Sequence, residues 1–174
     1  MTDLRKIYNV RTQEGRADLA GEYPSNDLIQ VILLVIFLAV WGIDSFWLNL
    51  STFAVHYIPS CVRIPAGILL LILWFYLTWL GLKIIFGQER PTPKVVREGP
   101  FGLMRHPIYL ASILFYFGLV VITLSFASLL VCIIIAIYYN FAARYEEKLL
   151  LAKYGDDYKK YMSEVPRWGL RLKF

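Results

Sequence analysis

Long uncharged apolar runs alternate with shorter polar stretches along this chain. Leu28 to Ile43 carries no charge, and its apolar character continues past Asp44 to Leu50. Ile64 to Leu82, Pro107 to Ser125 and Phe126 to Ala143 are likewise uncharged. Each is close to the roughly 20 residues that a helix needs to cross bilayer hydrocarbon. The runs are too long for buried strands and lack the alternation of a membrane barrel, so they predict helices. The last two abut at Ser125 and Phe126, which predicts a tight helical hairpin. The expected fold is an all-α integral membrane protein: about four transmembrane helices, a C-terminal helical hairpin and a cytoplasmic amphipathic tail.

Composition agrees. Of 174 residues, 58% are hydrophobic, above the roughly 45–50% usual for soluble domains. Charge adds an orientation. Of the 18 Lys and Arg, 17 fall on one side of a four-span arrangement and only Arg63 on the other. By the positive-inside rule both termini and the loop from Phe86 to Arg105 are expected in the cytoplasm. The net charge of +5 then reads as attraction to the lipid surface, and no nucleic-acid partner is expected. The first 27 residues are polar with charges of both signs, so no cleavable signal is expected. Two cysteines, Cys61 and Cys132, lie in different segments and argue against a disulfide framework or a metal site. Three regions result: a cytoplasmic segment over 1–27, two spans over 28–86, and a core over 87–174 holding a loop, the hairpin and a final helix.

Polar residues gather unevenly. Asp44 stands beside Trp41 and Trp47 near the outer end of the first span, where an interfacial acid is expected. Arg63 and His56 flank the same outer loop and are expected to be solvated. From Gln88 to Arg105 the chain contains Pro91, Pro93, Pro100, Gly99 and Gly102, which predicts an ordered loop rather than a helix. Pro107 suits the first turn of a helix, where its missing N–H costs nothing. Folding back about Ser125 and Phe126 places His106 opposite Tyr145. His106 and Tyr109 thus lie near the depth of Arg144, Glu146 and Glu147, about 30 Å from the hairpin tip. An imidazole, a phenol, a guanidinium and two carboxylates converge there, more than helix anchoring needs. Past Glu147 an amphipathic helix reaches Tyr154, Gly155 interrupts it, and Tyr154, Tyr158 and Tyr161 follow at helical spacing, as on a helix lying at a membrane surface.

The order of these motifs is specific. Arg105, His106, Pro107, Ile108, Tyr109 and Leu110 precede the hairpin; Glu146 and Glu147 follow it, then YGDDYKKY from Tyr154 to Tyr161, then Val165, Pro166 and Arg167. The set resembles the isoprenylcysteine carboxyl methyltransferase family, grouped with the membrane phospholipid methyltransferases, over roughly Pro91 to Trp168. The resemblance implies S-adenosyl-L-methionine as cofactor, bound at the cytosolic face without a Rossmann sheet. It implies cofactor contacts from Lys94, Val95, Val96, Phe101, His106, Pro107, Ile108, Tyr109, Glu146 and Glu147, with His106 and Glu146 as catalytic candidates. Phe101 stands where the family usually has Tyr, and Ala111 where Gly is common. Ala142 occupies the place of a substrate-contacting Arg of eukaryotic members. Arg144 is the nearest cation and the candidate for acceptor contact, although it lies about 200° around the helix from Ala142.

The resemblance implies methyl transfer to a lipophilic or small acceptor: a prenylcysteine-like carboxylate, a phospholipid amine or a thiol. Positioning and a dry site would supply most of the rate, and a general base is needed only for an amine or thiol. The rival readings are an inactive membrane scaffold of the same fold and a transporter fragment. The second lacks the paired broken helices it would need. Short loops and compact length point to a prokaryotic cell membrane.

Overall fold

A computed structural model describes residues 26–86 and 94–169. Helix α1 is Asn26–Gly42 and continues as a π-helical stretch, Ile43–Leu48; α2 is Ser60–Phe86; α3 is Pro107–Thr123; α4 is Phe126–Tyr154; α5 is Asp156–Glu164. Among the described residues there is no strand. Asn26–Leu48, Ser60–Phe86 and Phe126–Tyr154 are long and apolar enough to cross a membrane, and α3 is a shorter apolar helix. The all-helical membrane architecture expected from the apolar runs is the one observed. At about 1.5 Å per residue α4 is about 43 Å long, more than the ~30 Å of bilayer hydrocarbon. Its uncharged run ends at Ala143, and charged residues begin at Arg144.

The described residues form two compact units: one holds 26, 80–86, 94–107 and 140–169, the other Asp27–Trp79 and Ile108–Tyr139. In the second unit the predicted hairpin is present. Only Leu124 and Ser125 separate α3 from α4. Leu124 makes the reversal with φ of 52°, a conformation that a residue with a Cβ adopts rarely. The Ser125 hydroxyl accepts the Ser128 N–H at 3.1 Å, satisfying one of the donors that a helix start leaves over. Helices α2 and α3 meet at Gly67 and Gly118. A Cβ on Gly67 would lie 2.3 Å from Ile122 Cγ1 and 2.8 Å from the Gly118 carbonyl oxygen. Small residues at such crossings let backbones approach where apolar lipid supplies no hydrophobic drive. The Trp41 indole donates to the Leu119 carbonyl at 3.2 Å and the Thr123 hydroxyl at 3.1 Å, tying α1 to α3.

Two outer polar residues differ from expectation. Asp44 is buried. One carboxylate oxygen accepts the Ser51 N–H at 3.0 Å; the other accepts the hydroxyls of Ser51 and Ser125, each at 2.5 Å. Arg63 donates to the Ile122 carbonyl rather than standing in solvent. Both fulfil hydrogen-bonding needs of the hairpin reversal, which apolar runs do not reveal.

Candidate functional site

The first unit assembles a charged cluster from three stretches distant in sequence: the mouth of α3, the polar end of α4 and the segment after α5. Its centre is Glu147, with a side chain 4% exposed. Arg105 Nε donates to Glu147 Oε1 at 2.9 Å. Arg167 donates from Nε to Oε1 at 2.9 Å and from Nη2 to Oε2 at 2.5 Å. His106 Nε2 lies 3.2 Å from the same Oε1. A buried carboxylate persists only with such compensation, since desolvating an isolated charge is very costly. Arg105 is itself held. Its Nη1 donates to the carbonyls of Met162 at 2.9 Å and Val165 at 2.8 Å, and its N–H to that of Pro166 at 3.0 Å.

Glu146 plays a different geometric part. Neighbours on a helix point about 100° apart, and its side chain is 30% exposed where that of Glu147 is closed off. His106 stands between the two acids, with Nδ1 3.5 Å from Glu146 Oε2. Burial by itself pushes the imidazole's pKa down, but hydrogen bonds and charge from Glu146 and Glu147 outweigh it and leave the pKa raised. The two carboxylates thus favour the protonated ring more than a free imidazole would. Its ring also lies 6.0 Å from that of Trp168, whose indole donates to Asn140 Oδ1 at 3.0 Å.

The loop before α3 is fastened to the tail. Tyr158, Tyr161 and Val165 form a buried cluster against which Val95, Leu150, Tyr154 and Met162 pack. The Tyr161 hydroxyl donates to the Phe101 carbonyl at 2.6 Å, and Arg97 bonds Glu164 at 2.9 Å and the Asp157 carbonyl at 3.1 Å. The expected surface-lying helix is thus only partly exposed: Tyr158 and Tyr161 of α5 are buried, because the loop returns to cover them. Gly102 permits that return, since a Cβ there would stand 2.9 Å from the Arg97 carbonyl oxygen.

Of the residues expected at the site, His106, Glu146 and Glu147 come together directly. Lys94 is exposed, Val95 is committed to the tyrosine cluster, Val96 is half-buried, and Phe101 and Pro107 are buried. Arg144 is exposed on α4. Ile108 and Tyr109 belong to the second unit, where Tyr109 stacks on Tyr139 with centroids 5.2 Å apart. Arg105, Arg167 and Trp168 were absent from the expected set. Their signal was present in the Arg-His-Pro and Val-Pro-Arg motifs, but spacing does not show that Arg167 returns to a carboxylate 20 residues earlier.

The family model for phospholipid methyltransferases matches residues 82–157 of the chain. The matched stretch contains every residue expected at the site, from Lys94 to Glu147. It ends before Tyr158, so Tyr161, Val165, Arg167 and Trp168 close the cluster from outside it. No curated protein and no solved structure matches the chain.

Proposed function

We propose that the protein transfers a methyl group from S-adenosylmethionine to a lipophilic or small acceptor at the cytosolic face of a prokaryotic cell membrane, with both termini in the cytoplasm. One observation carries this reading: within the stretch matched by the methyltransferase family model, a partly open carboxylate, Glu146, stands beside the buried His106. The arrangement fits the cofactor's chemistry. An acid closed behind by His106 and open in front suits an ammonium group or a ribose diol. Glu147, with both oxygens committed to Arg105, Arg167 and His106, supports the site from behind. Lys94, Val96 and the backbone of Val95, with Phe101 and Pro107, complete the proposed lining, and exposed Arg144 would meet an acidic acceptor.

Bound S-adenosylmethionine supplies a methyl group already activated on a sulfonium, so the protein's task is placement and exclusion of water. His106 serves as a fixed hydrogen-bond donor. Its ring nitrogens face Glu146 and Glu147, and a general base is called for only where the acceptor is an amine or thiol. The scaffold reading has no comparable explanation for a partly open acid beside a buried imidazole.

Calorimetric titration of S-adenosylhomocysteine into detergent-purified protein tests the proposal. Saturable binding that Glu146→Ala and His106→Ala both weaken is expected. Absence of binding by folded wild type would overturn it.

A further inference from the structure

Two guanidinium groups and an imidazole converge on one carboxylate, Glu147. Arg105 makes one bond to it, and its other bonds go to the carbonyls of Met162 and Val165. Arg167 brings further positive charge beside Arg105 and His106, which is repulsive, and its side chain is 25% exposed, so burial does not require it there. Its distinctive contribution is geometric: it grips both oxygens of Glu147 as a fork. The terminal torsion of a glutamate is broad, and a two-point grip on the carboxylate fixes its plane. That plane decides whether Oε1 faces His106 Nε2, now 3.2 Å away. The next residue, Trp168, sets its ring 6.0 Å from the imidazole and anchors to Asn140, one residue into the same unit of α4.

We propose that Arg167 is a positioning residue: its fork on Glu147 sets the orientation of the His106 ring, so that the segment after α5 completes a site whose other members lie within the stretch matched by the methyltransferase family model. This rests on the methyltransferase reading for its consequence in binding, but not for its consequence at the imidazole. Arg167→Lys keeps the charge and loses the fork, and the two effects separate there.

The experiment compares full-length wild type, Arg167→Ala and Arg167→Lys in detergent, with histidine labelled for nuclear magnetic resonance. The sequence has two histidines, and His56→Gln assigns the remaining signal to His106. In both Arg167 variants the Nε2 proton signal of His106 should shift and broaden, and affinity for S-adenosylhomocysteine should fall on the order of tenfold, as on loss of an outer partner that orients a binding group. A native His106 signal and native affinity in folded Arg167→Lys would overturn the proposal, whatever happens to thermal stability. If Arg167→Ala does not fold, the Lys variant alone decides. A wild type that binds no S-adenosylhomocysteine, with a His106 signal that still moves in the variants, would refute the cofactor reading and leave the positioning role standing.

Discussion

Adjacent glutamates on α4 should fail in opposite ways. Glu147→Gln preserves volume and one oxygen, so it opens no cavity; it removes the charge shared by Arg105, His106 and Arg167. Breaking a buried ion pair by deleting one partner typically costs about 3–5 kcal/mol. Here the lower end applies, because Arg105 keeps the carbonyls of Met162 and Val165, and Arg167 reaches water. At roughly 2–4 °C per kcal/mol for a chain of this size, a loss of about 3 kcal/mol lowers the thermal midpoint by about 6–12 °C. Glu146→Gln removes only a 3.5 Å contact from a side chain 30% exposed, a loss within about 1 kcal/mol. Its effect should fall on S-adenosylhomocysteine affinity instead. Thermal unfolding followed by circular dichroism, beside calorimetric titration, reads both. Equal midpoints for the two variants, or a lower midpoint for Glu146→Gln, would refute the division of labour between buried support and open ligand.

Gly67→Ala should destabilise the second unit by about 1–3 kcal/mol, because its Cβ meets the Gly118 carbonyl across α2 and α3 and the backbones must separate; thermal unfolding checks this against the surface variant Lys159→Ala. Stability should also depend on pH through His106. Its folded pKa is raised, so its contribution is complete below its ordinary value of 6.5 and disappears as pH climbs through the folded value. Thermal midpoints measured across that range should fall on the alkaline side, and His106→Gln should flatten that part of the profile.

Local chemistry made much of the fold legible. Uncharged runs announced the helices, Pro107 opened α3 where a proline is tolerated, and the abutting runs at Ser125 and Phe126 gave a hairpin with a two-residue turn. The convergence of His106 with Glu146 and Glu147 followed from antiparallel geometry alone. The division between the two acids did not. Neighbouring glutamates look alike in sequence, and the buried one, Glu147, meets partners far along the chain, Arg105 and Arg167. Tyr158 and Tyr161 showed helical spacing but not their covering, which comes from a carbonyl 60 residues earlier, at Phe101. The seating of Asp44 was hidden for the same reason: its hydroxyl partner Ser125 is 81 positions away. Local periodicity reports which face of an element is apolar, and stays silent about distant polar partners.

That last distance has a consequence for how the protein is made. When the first span enters the bilayer, Asp44 has Ser51 seven residues on, but Ser125 has not yet been synthesised. An acid within a span resists insertion, less so toward its ends. Its full complement of donors arrives only with the start of the last span. The seat of the first helix is therefore provisional for nearly half of translation, and its final register is set by the hairpin that docks against it. The bonds that satisfy Asp44 thus join the first helix made to a turn synthesised 81 residues later.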